Sequence, residues 1–268
     1  MSAVLLIAGD SIRALLHQRL LVALMLVTLG LTILFSVLLT EAKEWFAQNL
    51  YSSAALDQDG PFDAENLNPM RIGMGMMGSF VMAVFYWFTA LGGTVVTLFI
   101  CASAVATDIR RGTIHIILAK PVSRAQNHLG KNSGAVAVMF GYSLLIGIAL
   151  MLFAYANALN LNQAFRYAPW LMFCHNLMVG SVALLLSLLI HPLLAAVVAY
   201  FASASFLSVS NPLYFILPSY DCFYVFKLIM SGKLITPSDI ALLTLYAFDV
   251  TAIFLLLALW RFHTKELL

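Results

Sequence analysis

Long intervals without charged residues, separated by short polar segments, divide the chain. Residues 20–40 contain no Lys, Arg, Asp or Glu, and a helix of that length extends about 31 Å, enough to cross the hydrocarbon core of a bilayer. The longest such interval, 167–220, must hold two crossings, with the break at His191-Pro192. The pattern therefore predicts six spanning helices. They are expected at about 20–40, 80–104, 134–155, 169–189, 193–209 and 240–260.

Three segments outside these spans have their own character. Residues 1–19 alternate polar and apolar positions at helical spacing, which predicts an amphipathic helix on the membrane surface rather than a cleavable signal peptide. Residues 41–78 are polar and form a predicted extracytoplasmic loop. Segment 211–238 is apolar but interrupted by prolines, which predicts short helices that re-enter the outer leaflet before the sixth span. Residues 20–268 thus form one membrane domain.

Composition agrees with this pattern. Hydrophobic residues make up 62% of the chain and charged residues only 10%, whereas soluble domains carry about 25% charged residues. The fold class is therefore an all-α integral membrane protein. A net charge of +2 disfavours nucleic acid as a partner. The three cysteines build no CxxC motif and are expected to be buried apolar residues, so no structural metal is predicted.

Positive charges set the orientation. Nine Lys and Arg residues fall on the side of the amino terminus and five on the other side. Cytoplasmic loops carry the excess of positive charge, so both termini are predicted to be cytoplasmic.

The most basic loop, 105–133, joins the second and third spans. Its centre, Gly112 to Leu118, is a short amphipathic stretch, and Ser123 is a predicted N-cap of a helix that follows. A rigid segment at the membrane surface could act as a lever for a cytoplasmic partner. Its positive charges could equally anchor the topology and attract anionic lipid. Physics alone leaves both interpretations open.

The motif in this loop resembles a known family. Asp108-Ile109-Arg110-Arg111-Gly112-Thr113 is followed by Leu118-Ala119-Lys120-Pro121-Val122-Ser123-Arg124 and then by Leu129-Gly130-Lys131. This order resembles the type-2 ABC exporter permeases, a family whose branches include the permease for nitrous oxide reductase maturation. The motif covers 108–131, and the architecture is similar over nearly the whole chain. Asp108 stands where the family more usually has glutamate.

The resemblance implies a subunit without catalytic activity or cofactor of its own. In that family two permease copies, or two related permeases, assemble in the bacterial inner membrane with two cytoplasmic ATPase subunits that bind and hydrolyse Mg-ATP. The absence of a GxxxxGK[ST] motif is consistent with this division. The implied coupling residues are Asp108, Arg110, Arg111, Gly112, Thr113 and Arg124.

Two ionisable residues inside predicted spans are candidates for a translocation path. Asp249 falls near the middle of the sixth span, where a charge is costly and is expected to face protein or water. His175 lies in the fourth span and poses the same question at a lower cost of burial. Each could contact a proton, cation or substrate, or could be a neutral group hydrogen-bonded to neighbours.

Methionines cluster where the second span begins. Met70, Met74 and Met77 follow an i, i+4, i+7 stripe. Thioethers are ligands for Cu(I), but a methionine stripe is also typical of flexible packing against a neighbouring helix.

Two other functions remain open from the sequence. A secondary carrier or channel could use Asp249 as its ion site, and a scaffold could hold a periplasmic partner through loop 41–78.

Overall fold

The computed structural model describes 3–16, eleven positions between 22 and 41, and 67–104, 123–156, 163–203, 217–223 and 235–264. Six α-helices and one 3₁₀ turn lie in the continuous stretches, and the described residues contain no β-strand. The helices are α1 (Ala3–Leu16), α2 (Leu67–Ala104), α3 (Arg124–Ala156), α4 (Gln163–Ser187), α5 (Pro192–Phe201) and α6 (Pro237–Thr264), and the 3₁₀ turn is Asp221–Phe223.

Four of these helices are long and apolar enough to cross a membrane. Their candidate spans are Ala83–Ala104, Ala125–Leu152, Phe165–Ser187 and Pro237–Phe262. The described positions between 22 and 41 also have helical backbone. They are too discontinuous to define a span, so the first predicted crossing stays a prediction.

The helices extend beyond the predicted spans. Helix α2 begins at Leu67, so residues 67–78 of the predicted extracytoplasmic loop are helical. Helix α3 begins at Arg124, so the last residues of the predicted 105–133 loop form its first turns. The reason is that a charge-free interval marks what can lie in hydrocarbon, whereas a helix continues wherever its backbone groups hydrogen-bond to one another.

The fifth predicted span is shorter in the structure. The break at His191-Pro192 is confirmed, because α5 begins at Pro192 and the amide of Leu193 donates to His191 Nδ1 at 3.2 Å. Helix α5 then ends at Phe201, about 15 Å along its axis. Ala202 has φ −77° and ψ 58°, and the amide of Ser203 donates to the Phe201 carbonyl at 2.8 Å, which is an inverse γ-turn. Residues 204–209 lie outside the described part.

Helix α4 is the centre of the bundle and packs against α2, α3, α5 and α6. Of the residues in its apolar stretch 83% are buried, against 11% in α6. This follows from its sequence, because Leu171–Leu186 carries apolar residues on all sides and no charge, which is typical of an enclosed helix. Neighbouring helices approach α4 closely, and a Cβ at Gly147 of α3 would lie 2.6 Å from Cγ of Pro169.

Candidate functional site

A reciprocal pair of hydrogen bonds defines the beginning of α3. The amide of Gln126 donates to Ser123 Oγ at 3.1 Å, and the amide of Ser123 donates to Gln126 Oε1 at 3.0 Å. This is a capping box, which satisfies backbone donors that the first turn of a helix leaves free. The predicted N-cap role of Ser123 is confirmed. The cap fixes the point at which the chain leaves the basic segment 105–122, which lies outside the described residues.

The other end of that segment is held by a lysine. Lys131 Nζ donates to the carbonyl oxygen of Ala104, the last described residue of α2, at 3.1 Å. A hydrogen bond from an ammonium group to a backbone carbonyl is charge-assisted and is therefore stronger than a bond between neutral groups. One side chain therefore links the end of α2 to the first turns of α3.

The amino-terminal helix α1 packs against two glycines of α3. A Cβ at Gly130 would lie 2.7 Å from Cβ and Cγ2 of Ile7, and one at Gly134 would lie 2.8 Å from Cβ of Ser11. The spacing Gly-x-x-x-Gly places both glycines on one face of α3, where the missing side chains let α1 approach the backbone. Helix α1, the carbonyl end of α2 at Ala104, and residues 123–134 of α3 thus form one packed unit, which we call the junction.

The junction also contains unpaired polar atoms. His128 is fully buried, and neither of its ring nitrogens has a hydrogen-bond partner; Nδ2 of the buried Asn127 has none either. The His128 ring packs 5.7 Å from the ring of Phe262, near the end of α6. A buried polar group without a partner costs about 1–3 kcal/mol. His128 could not be singled out before the structure, since an isolated histidine belongs to no motif or regular spacing.

A second polar cluster lies between α2 and α4, near the middle of both spans. Thr94 Oγ1 is 3.2 Å from Asn176 Oδ1, 2.9 Å from the Ala90 carbonyl and 3.5 Å from His175 Nδ1. A hydroxyl has one proton to donate, so the acceptors on Ala90 and Asn176 compete for it. Asn176 is fully buried, and its Nδ2 has no partner. The cluster therefore has more than one hydrogen-bonding arrangement open to it.

A cleft opens beside this cluster between α2, α4, α5 and the 3₁₀ turn. Its volume is about 390 Å³ including the open mouth, and the enclosed part has space for about one water molecule. Aromatic rings form most of its wall. The lining residues are Tyr86, Trp87, Ala90, Leu91, Thr94, Met172, His175, Tyr200 and Phe223.

Residues 217–220, which are not helical, pack against one side of the His175 ring. The ring of Tyr220 packs edge-on against the ring of His175, with the ring centroids 5.6 Å apart. The Tyr220 hydroxyl donates to the Ala199 carbonyl at 3.4 Å, and the amide of Ser219 donates to the Tyr246 hydroxyl at 2.9 Å. Because His175 is the thirteenth of the 25 residues of α4, this segment packs beside the middle of the central helix.

Asp249, the other predicted path residue, does not line the cleft. It is exposed on α6, on the side opposite Ala247 and Thr251, which are buried. The structure therefore does not bring Asp249 and His175 together. The outward position of Asp249 could not be read from one sequence, because both faces of α6 are apolar.

The remaining predicted site residues are only partly described. Asp108, Arg110, Arg111, Gly112 and Thr113 lie outside the described residues, and Arg124 is the first residue of α3. The stripe of Met70, Met74 and Met77 is on the first turns of α2, where the backbone alone is described. Within the described part of the chain, no group of three or more His, Cys, Asp or Glu could hold a metal.

The cysteines behave as apolar residues. Cys101 and Cys174 are buried, as expected, and Cys222 is half-buried with its thiol 3.0 Å from the Ser219 carbonyl. All three are free thiols.

Comparison with protein-family models and with curated protein sequences gives no match for this chain. The function of the chain is therefore inferred from the motif in segment 108–131 and from the contacts of the described residues on either side of it.

Proposed function

We propose that this chain is the membrane-spanning permease subunit of an ATP-binding cassette exporter. Two copies, or one copy and a related permease, assemble with two cytoplasmic ATPase subunits in a bacterial inner membrane. The observation that carries the proposal is the exporter-like motif 108–131, whose two flanking helices are joined through Lys131 and Ala104. The chain itself hydrolyses nothing, because the ATP and Mg²⁺ are bound by the partner subunits.

The proposed topology has six spans, with both termini in the cytoplasm. Four long apolar helices and the excess of positive charge on one side support it. The packing of Ser219 and Tyr220 beside the middle of the bundle supports a re-entrant segment within 211–238. Irregular backbone at that depth is tolerated where protein encloses it, and Tyr220 and Phe223 are buried.

Coupling runs through the junction. The ATPase subunits bind segment 105–133, where Asp108, Arg110, Arg111, Gly112, Thr113 and Arg124 make the contacts. A displacement of this segment acts on α2 and α3 together, because Lys131 links them, and it carries α1 along on Gly130 and Gly134. The unpaired atoms of Asn127 and His128 support a second packing in which they gain partners, as a two-state element requires.

The translocation path passes the His175 cleft. In this conformation the enclosed part of the cleft has space for only about one water molecule, so the proposed path is closed and cargo requires a change in the packing of α2 and α4. The competing bonds of Thr94 support such a change, because its hydroxyl has an acceptor in each helix. Asp249 has no part in this cleft, which makes a carrier with an ion site at Asp249 the weaker alternative.

Charge reversal in the loop tests the proposal. Arg110→Glu combined with Arg111→Glu should abolish ATPase binding or uncouple ATP hydrolysis from export, because both positive charges would face the same partner surface. Arg166→Glu is the matched control, since Arg166 is exposed on α4 at the opposite end of the bundle. Unchanged assembly and export in the double variant would overturn the coupling assignment.

A further inference from the structure

The wall of the His175 cleft favours an uncharged ligand. None of the nine described residues that line it is Asp, Glu, Lys or Arg. An ion placed between them would lose its hydration without gaining a partner of opposite charge, which is costly inside a span. Aromatic rings from α2, α5 and the 3₁₀ turn meet in this wall. The wall therefore fits a molecule that is uncharged and mainly apolar.

A hydrogen-bond donor without a partner lies beside this wall. Asn176 is fully buried, and its Nδ2 bonds to none of the described residues. Its Oδ1 is 3.2 Å from Oγ1 of Thr94, which lines the cleft. A Cβ at Gly93 would lie 3.4 Å from Asn176 Nδ2 and 2.8 Å from Cε of Met172, another lining residue. The unpaired amide nitrogen is therefore next to two residues of the wall.

The cleft has a polar inner end and an apolar mouth. Thr94 and His175 are buried, whereas Trp87 is exposed. The enclosed part has space for about one water molecule, and hence for one oxygen atom of a larger molecule. With the mouth included, the volume of about 390 Å³ lies in the range of small-molecule sites, about 300–1,000 Å³.

We propose that this cleft binds an uncharged, mainly apolar molecule that carries a carbonyl oxygen. The oxygen occupies the enclosed part, and the apolar body packs on the rings of the mouth. Asn176 Nδ2 donates to the oxygen once the flexible thioether of Met172 has moved aside, which satisfies a donor that is otherwise buried without a partner. The proposal deepens the proposed function by naming a class of cargo, and it rests on that function for the role of cargo alone.

An acyl chain of a bilayer lipid is the less favoured occupant. It would fill the apolar mouth equally well. However, the cleft lies at the depth of His175, the thirteenth of the 25 residues of α4, where an acyl chain has no oxygen. It would leave Asn176 Nδ2 unpaired. The buried donor therefore distinguishes a carbonyl ligand from lipid.

Photolabelling with benzophenone tests the binding site. This probe is uncharged, carries one carbonyl between two aromatic rings, and bonds covalently to nearby C–H groups on irradiation. The purified chain in lipid nanodiscs should be labelled saturably at residues that line the cleft, such as Met172, as located by mass spectrometry. At equal concentration in the bilayer, 4-benzoylbenzoate should label the cleft about tenfold less, because no described residue of the wall pairs with its carboxylate.

Two competitors separate hydrogen bonding from apolar contact. Fluorenone and fluorene share one ring system, but fluorene has no oxygen. At equal concentration in the bilayer, fluorenone should protect the cleft from the label about tenfold better, because an analogue without the oxygen leaves the buried donor unpaired. Asn176→Leu should remove this preference. Equal protection by both compounds in the unaltered chain would overturn the carbonyl contact and indicate an apolar occupant such as an acyl chain.

A matched pair of substitutions locates the site. Ala90→Phe fills the cleft and should abolish saturable labelling. Val84→Phe is the control, because Val84 is also half-buried on α2 but does not line the cleft. Labelling that persists in the Ala90 variant, or adducts confined to residues away from the cleft, would overturn the site.

The outcomes also separate this inference from the proposed function. Binding of benzophenone requires no ATPase, and recovery of an ATPase subunit is scored separately in the same membranes. An unaltered chain that recovers the ATPase but shows no saturable labelling would overturn the inference and leave the exporter assignment standing. Saturable labelling of a chain that recovers no ATPase would support the binding site and contradict the exporter.

Discussion

The ammonium nitrogen of Lys131 lies 3.1 Å from the carbonyl oxygen of Ala104, so that a residue of α3 is bonded to the last described turn of α2. The helices on either side of the basic segment are therefore linked to each other through this bond. In the proposed coupling, a displacement of the segment would act on both helices together, because this bond joins them. This link gives the proposed coupling loop a mechanical connection to the bundle.

Removing the ammonium group tests the link. Lys131→Met should lower the free energy of unfolding by about 1 kcal/mol, since a hydrogen bond from a charged group is lost at a partly exposed site. It should also reduce the export obtained per ATP hydrolysed. Thermal unfolding in detergent and paired assays of ATP hydrolysis and export measure the two effects. Arg166→Met is the control, and equal export per ATP in both variants would contradict the role of the link.

Close packing of α1 on α3 predicts an asymmetric response to alanine. At Gly130 the new Cβ would meet Ile7 at 2.7 Å, whereas at Gly141 it would have nothing within 4 Å. Gly130→Ala should therefore destabilise the protein by about 1–3 kcal/mol through overpacking. Gly141→Ala should be neutral or stabilising, because alanine favours the helix.

Melting temperatures of the two glycine variants, measured side by side, decide the matter. The Gly130 variant should also expose α1 to protease. If the Gly130 variant has the same melting temperature as the Gly141 variant, and its α1 is equally resistant to cleavage, then α1 does not pack on the face of α3 that carries Gly130.

The Thr94 hydroxyl is predicted to stabilise the middle of the bundle. Thr94→Val keeps the shape but leaves Asn176 Oδ1 without its Thr94 donor, at a cost of about 1–3 kcal/mol. Thr94→Ser retains the hydroxyl and should lose far less. Chemical unfolding of the two variants measures the difference, and export assays show whether the cleft beside Thr94 is on the path. Equal stability of the Thr94→Val and Thr94→Ser variants would show that the hydrogen bonds of the Thr94 hydroxyl do not stabilise the protein.

The capping box of α3 gives a local prediction. Ser123→Ala and Gln126→Ala each remove one of its two bonds, and each should cost about 1 kcal/mol or less. The double variant should cost less than the sum of the two single effects, because the bonds are reciprocal. Strict additivity in a double-mutant cycle would show that the two bonds act independently.

Local patterns made much of the helical fold predictable. The Ser123 cap and the break at His191-Pro192 depend on neighbours in sequence, and both are confirmed. Charge-free intervals identified apolar helices that the structure contains. The predicted positions of the helix ends were less accurate, because a helix such as α2 continues past the charged residues that bound its span.

Contacts between distant segments could not be predicted in the same way. The spacing of Gly130 and Gly134 is visible in the sequence, but nothing in it says that α1 is the partner. The packing of Tyr220 on His175 joins residues 45 positions apart, and the early end of α5 depends on the turn at Ala202. Similarly, hydropathy alone could not tell which face of α6 carries Asp249 outward.

The central claim is that this chain works with a separate ATPase, and purification from the native host tests it most directly. The chain should be isolated in mild detergent after gentle cross-linking, and the proteins that accompany it identified and counted by mass spectrometry. We expect a P-loop ATPase in a one-to-one ratio with the permease, lost when Arg110 and Arg111 are both reversed in charge. A chain that purifies without any ATPase, before and after cross-linking, would contradict the exporter assignment.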